Sequence, residues 1–226
     1  MDPEEARRIA EQQRACFNRA VEAFDVPQPA DVLERLAVVV VAAGIASGET
    51  VLDVGAGVGV LVPFIRGYLP GRIIACDLAE RMLERLGSKY LEVELHRADI
   101  AVLDLSDASV DVVFMNAMYG NIADKVAAHR NVARMLRPEG RLVVSHPEGR
   151  AFVDHLRATT GLFVESYPSR EEFAAALGPH GLAVVHYRDE PKLYLMVARK
   201  WAPPLSERVP GAGGASEAGT GPEGMG

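Results

Sequence analysis

The sequence predicts an α/β fold: a doubly wound, mostly parallel seven-stranded sheet with an antiparallel C-terminal strand pair. Three observations carry that expectation. Short apolar runs alternate with helix-spaced segments from Thr50 to Thr159, the pattern of parallel strands covered on both faces by helices. A glycine-rich turn, residues 55–59, stands directly between the first of these strands and the segment after it, where an open α/β sheet turns from strand to helix. Near the end, two strand-like runs are joined by a link too short for a parallel crossover, so they pair antiparallel.

Each element has its own signal. Asp2 caps a first helix, Pro3 suits its first turn, and Glu5 has capping-box spacing. Ile9, Phe17, Val21 and Phe24 fall on one face of it. Pro27 and Pro29 then break the chain. A second helix is expected from about Ala30 to Ala43. Its Val38–Val41 run is strand-like by propensity, but its place just ahead of the glycine motif favours helix.

From there, strands are expected at 51–54, 72–77, 93–99, 110–116 and 141–146. The first is followed by a helical stretch from Val58 to Gly67, the second by a helix to about Leu86. Helices over about Lys125–Leu136 and Arg150–Thr159 follow the fourth and fifth strands. Ser169 and Glu172 form a capping box for a helix with Phe173 and Leu177 on its buried line, and Gly178 ends it. The closing strands are 182–188 and 192–200, linked through Asp189, Glu190 and Pro191. Beyond Trp201 the chain is rich in Gly, Pro, Ala and Ser, the composition of a disordered tail. The expected organisation is a helical cap over 1–29, an α/β domain over 30–201 and a disordered tail over 202–226.

Composition narrows the function. The chain has 226 residues, 49% of them apolar, which is ample for one core. Its formal net charge of −7 argues against duplex nucleic acid as the main partner. Cys16 and Cys76 lie in different elements, so neither a disulfide framework nor a thiolate zinc site is expected. His96, His155, His180 and His186 show no metal-ligand spacing, and no metal is predicted. The first residues lack the apolar core of a signal peptide. The longest apolar run, Leu36 to Ala46, is short of the ~20 residues that span a bilayer. A cytoplasmic protein is expected.

Gly55, Gly57 and Gly59 let the backbone turn sharply and approach a ligand without a Cβ. Asp77 ends the next strand, where a carboxylate can accept hydrogen bonds from a ribose diol. A dinucleotide fingerprint needs a third glycine at the position of Val60, and it fails there. Asp53, ahead of the glycines, suits a positively charged ligand better than a pyrophosphate. S-adenosylmethionine (SAM), with its sulfonium and ammonium, is such a ligand. The competing reading is that Asp53 only ties down the loop backbone.

VLDVGAGVG (51–59) resembles motif I of class I SAM-dependent methyltransferases. IIACDLAERML (73–83), RADI (97–100), VDVVFMNAMYGNIAD (110–124) and VARMLRPEGRLVV (132–144) resemble the motifs that follow it, and the ordered set spans roughly residues 15–200. The resemblance implies SAM as cofactor. It implies that Asp77 holds the ribose hydroxyls, Asp99 meets the adenine amino group and Ile100 packs on the ring. Asp53, Gly55, Ala56, Gly57, Leu78, Met82 and Asn116 complete the implied cofactor set. Within the class, residues 116–144 most resemble the ubiquinone and menaquinone C-methyltransferase branch (methyltransferase type 11). FNRAVEAFD (17–25) resembles that branch's N-terminal motif, with Phe24 where Tyr is commoner, and Pro138-Glu139-Gly140 replaces its usual Pro-Gly-Gly turn.

The resemblance places the methyl acceptor after the fourth strand. Methyl transfer is a displacement in which the protein mainly aligns the partners and sometimes supplies a base. Tyr119, Asn121, His129 and His146 are the acceptor-site candidates. Tyr119 and His146 are the candidate catalytic residues, with His146 the preferred general base because a neutral imidazole takes a proton near pH 7. The competing readings are a buried aromatic for Tyr119, a structural histidine for His129 and a strand-end cap for His146. Residues 147–168, with Phe152, Leu156, Phe163 and Tyr167, are placed to cover the acceptor, the competing reading being ordinary core packing, and the first helix is placed to form the other wall. The expected activity is methyl transfer to a small molecule, quinone-like or lipophilic. The alternatives are an NAD(P)-dependent oxidoreductase and a non-catalytic SAM-binding protein.

Overall fold

The computed structural model describes residues 1–201, so the expected tail lies outside the described residues. Seven strands form one sheet: β1 (Thr50–Val54), β2 (Arg72–Asp77), β3 (Glu94–Arg97), β4 (Val110–Asn116), β5 (Leu136–His146), β6 (Leu182–Glu190) and β7 (Leu193–Lys200). Their order is β3-β2-β1-β4-β5-β7-β6. The first five are parallel, and β7 runs antiparallel between β5 and β6. The winding direction reverses between β1 and β4. In open α/β sheets a crevice opens there, at the carboxyl ends of the strands.

The strands are apolar on both sides because helices cover both sides. Leu52, Val54, Val113 and Met115 point to one face, where α5 (Lys125–Met135), α6 (Gly149–Thr159) and α7 (Arg170–Leu177) pack. Val51, Val112, Phe114 and Val143 point to the other, under α2 (Ala30–Ala43), α3 (Val62–Arg66) and α4 (Glu80–Lys89). The valine run of α2 is helical. Val32, Leu36, Val39, Val40 and Ala43 are its buried residues, and burial of that stripe on the sheet outweighs the β-preference of valine.

Several boundaries move for identifiable reasons. Helix α3 starts four residues later than the sequence suggests, because Gly55, Gly57 and Gly59 all take positive φ (63°, 53° and 85°) and the chain is still turning. Strand β5 begins five residues earlier, at Leu136, which pairs with Val110 across a register shift. The turn at Glu139 (φ 66°) lies within that extension. Helix α1 (Pro3–Phe24) is capped by Asp2 through the Glu4 N–H at 3.4 Å, while Glu5 lies 3.9 Å from Arg8. The Ser169 and Glu172 capping box is present in both directions.

Helix α1 lies across α4. Arg14 makes a two-pronged bond to Glu80 at 2.8 and 2.7 Å. Arg85 bridges Glu22 and Asp25, and Lys89 also reaches Asp25. A small apolar cluster of Val21, Ala79 and Met82 lies beneath. This arrangement carries α1 over the mouth of the crevice. Among the described residues, no helix is long and apolar enough to cross a membrane, and no group of three metal-ligating side chains occurs.

Candidate active site

A cavity of about 250 Å³ opens at the carboxyl ends of β1, β2 and β4, roofed by α1. Its wall has two chemically different halves. One half is built by the glycine loop, the end of β2 and the loop after β3. Gly55, Ala56, Gly57, Asp77, Leu78 and Asp99 all stand on it, with Met82, Ile100 and Asn116 beside them. Gly57 faces open space: a Cβ there meets nothing within 4 Å.

Asp77 ties this half together. Its carboxylate accepts the Gly57 N–H at 2.9 Å and the Ala79 N–H at 2.8 Å. Burial raises its pKa, and those backbone donors oppose the rise. Asp99 caps its own loop through the Ala101 N–H at 2.9 Å. Asn116 Oδ1 accepts the Ser145 hydroxyl at 2.9 Å.

Asp53 lies behind the loop, 2% exposed, rather than on the wall. Its Oδ2 is buried without a partner among the described residues. Burial, with the nearby Asp77 charge second, pushes its carboxyl up to about 8. Such an orphaned carboxylate is costly unless a cation lies close. Glycines open to the cavity, two acidic side chains on the wall and a third carboxyl behind the loop fit a nucleoside with a cationic tail. They suit a pyrophosphate less well, because the wall offers it acidic side chains and, among the described residues, no cationic one.

The other half of the wall is apolar. Phe17, Val32, Leu36, Met118 and Ile122 are among its residues, and Gln13, Gln28 and Asn121 are its polar ones. Among the described residues, no lysine, arginine or histidine is part of the wall.

Three of the expected acceptor residues are therefore elsewhere. Tyr119 is 1% exposed, and its ring lies 5.1 Å from Phe173 and 5.7 Å from Tyr167. Its hydroxyl meets His129 Nε2 at 3.0 Å, inside the core. Burial, with His180 and Lys125 nearby, pushes the His129 imidazole down to about 4. His146 is buried between Phe152 and Tyr167. Its Nδ1 accepts the Glu148 N–H at 3.1 Å. The neutral ring consequently carries its proton on Nε2, and burial pushes the imidazole down to about 4. All three side chains turn under the sheet edge into the α5–α7 layer. Of the expected cover over 147–168, only Pro147 reaches the wall. The roof is α1 instead.

Sequence reading missed Gln13, the polar residue in that roof. It is 3% exposed, and its side-chain nitrogen donates to the carbonyls of Asn121 and Phe163. The available signal was its spacing from Ile9 and Phe17, four residues each way on the apolar face of α1.

Residues 52–144 match a family model described as a methyltransferase domain. A Mycobacterium tuberculosis protein named "Probable S-adenosylmethionine-dependent methyltransferase" is 36% identical over 106 residues, covering 47% of this chain and 38% of that protein. A ubiquinone/menaquinone biosynthesis C-methyltransferase of Enterobacter sp. is 31% identical over 110 residues, covering 45% of this chain and 43% of that one. The chain thus spans less than half the length of these curated relatives. A solved SAM-dependent methyltransferase from Aquifex aeolicus superposes with a TM-score of 0.66 at 21% identity, covering 81% of this chain and 98% of that one. Geranyl diphosphate C-methyltransferase from Streptomyces coelicolor, solved with S-adenosyl-L-homocysteine, gives 0.62 at 14% identity, covering 74% and 78%. At those identities the superpositions speak for the fold alone.

Proposed function

We propose that this chain is a SAM-dependent methyltransferase that transfers a methyl group from SAM to a small, largely apolar acceptor held under α1. The observation that carries this reading is the divided wall: an acidic, glycine-lined half meets an apolar half that has no cationic side chain among the described residues.

In this reading Asp77 and Asp99 receive hydroxyl and amino groups of the cofactor, and Leu78, Met82 and Ile100 pack on its flat parts. Asp53 compensates the positive end from behind the loop. When bound, SAM supplies an electrophilic methyl carbon on a cationic sulfur. The remaining work of the chain is alignment and exclusion of water. Helix α1 closes the apolar half, so the acceptor is held facing the cofactor half rather than exposed to solvent. Among the described residues, no histidine or lysine stands on the wall to take a proton.

The apolar half supports a lipophilic ring compound as acceptor. The quinone-biosynthesis name of one relative points the same way. The dinucleotide alternative has against it the carboxyl of Asp53 behind the loop and Val60 in place of the third glycine. Calorimetry with SAM, S-adenosylhomocysteine and NAD tests the reading directly. Saturable binding of the first two is expected, and preference for NAD by a folded sample would sink it. Transfer of labelled methyl to a ring acceptor is the test of turnover, and its failure across a broad panel alongside tight SAM binding would favour a non-catalytic SAM-binding role.

A further inference from the structure

The apolar half of the cavity has one polar feature built into its roof. Ala10, Gln13 and Phe17 line the cavity from one face of α1, as spacings of three and four residues require. The Gln13 side-chain nitrogen donates to Asn121 O at 2.9 Å and Phe163 O at 3.0 Å. Its two protons meet two carbonyls, so the nitrogen is saturated. This also settles which end of the amide is which. The flipped amide would set its own oxygen against both carbonyl oxygens.

The oxygen remains. Among the described residues no donor bonds Gln13 Oε1. It is also not sealed into the protein in the way Asp53 Oδ2 is. Gln13 is one of the residues that wall the cavity, so we read this unpartnered oxygen as turned toward it. An amide oxygen held in place by two bonds at its other end, in a largely apolar surrounding, is a preorganised acceptor.

We propose that Gln13 is a specificity-determining residue of the acceptor site. Its Oε1 accepts a hydrogen bond from a hydroxyl or N–H carried on an otherwise apolar ring compound. This rests on the methyl-transfer reading of the pocket, and it names the chemical class of the acceptor. A bare hydrocarbon in the same position strands the oxygen without a partner, and sites built to bond a donor reject analogues that lack it. Neighbouring Asn121 is held less firmly: its amide nitrogen makes a single long bond to Phe163 O at 3.4 Å, against the two shorter bonds that fix Gln13.

The test uses the full chain saturated with S-adenosylhomocysteine and two probes, a naphthol and the methylnaphthalene of matching substitution. They share ring and size and differ in the donor. The quantity read is the ratio of their affinities, compared between wild type and Gln13→Met, which keeps the length of the side chain but has neither donor nor acceptor. That ratio is expected to move by about tenfold or more toward methylnaphthalene, the worth of roughly one buried hydrogen bond. Cofactor-product affinity is expected to stay within about twofold. Loosening of α1 alone would weaken both probes together and leave the ratio where it was.

A ratio that moves less than about twofold overturns the proposal, as does failure of both probes to bind the loaded wild type. If Gln13→Met does not fold, the side-chain carbonyl carbon signal of Gln13 in wild type decides. It must shift with the naphthol and not with methylnaphthalene, and equal or absent shifts overturn the proposal. Failure of folded wild type to bind S-adenosylhomocysteine overturns the methyl-transfer reading and this proposal with it. Normal binding with an unchanged ratio overturns only the role of Gln13.

Discussion

The backbone N–H of Gly57 donates to Asp77 Oδ2 at 2.9 Å, fastening the glycine loop after β1 to the end of β2. The same carboxylate accepts the Ala79 N–H through its other oxygen. Each carboxylate oxygen keeps a further acceptor site, so loop-fastening and ligand-binding are compatible roles for one residue. Replacement by alanine removes both. Asp77→Ala is expected to weaken S-adenosylhomocysteine at least about tenfold in calorimetry, the worth of one or two charge-assisted hydrogen bonds. Unchanged affinity would remove Asp77 from the cofactor site.

Asp53 gives a prediction with two opposite slopes. Its buried carboxyl is pushed up to about 8, whereas an unburied one releases its proton near 3.8. A raised folded-state pKa contributes stability that is full below the unfolded value and lost as pH rises through the folded one. Melting temperature should therefore fall between about pH 4 and 8 through this residue, and Asp53→Asn should flatten that fall. Affinity for cationic SAM should rise over the same window, because a nearby cation favours the carboxylate. A SAM affinity that is flat with pH in wild type, or equally steep in Asp53→Asn, would refute the assignment.

His146 is expected to contribute no proton transfer. Its imidazole is pushed down to about 4 by burial, and its Nδ1 lone pair is engaged by Glu148. Once an acceptor is in hand, kcat should show no histidine inflection between about pH 5.5 and 8. His146→Gln should keep activity within a few-fold. An inflection near pH 6.5 that disappears in this variant would restore the general-base role.

Glu139 stands at φ 66° in the turn before the last stretch of β5. A non-glycine residue in this left-handed region costs about 1 kcal/mol. Its bond to Arg199 at 3.2 Å joins two side chains that are both more than half exposed, and such pairs contribute about 0–1 kcal/mol. Glu139→Gly is accordingly expected to stabilise the protein by about 0.5 kcal/mol in urea unfolding, with the ion pair lost and the strain relieved. A loss of stability would mean that the ion pair outweighs the strain.

The alternating apolar runs, the glycine turn and the Ser169 capping box are patterns within a few consecutive residues. The sequence by itself determined what depends on them: the seven strands and the acidic, glycine-lined half of the wall, whose residues are Asp77 and Asp99 with their neighbours. Backbone turns and strand ends place those side chains almost without help from the rest of the chain. The apolar half was decided by tertiary structure. Tyr119, His129 and His146 lie at the expected edge of the sheet, yet the packing of α5, α6 and α7 draws their side chains into the core. Gln13 reaches the cavity because α1 is carried across it by ion pairs with α4, and its amide is aimed by a carbonyl 108 residues away. No local pattern encodes that contact. Hydrophobic burial and amide hydrogen bonding select it only once the sheet has brought the two segments together.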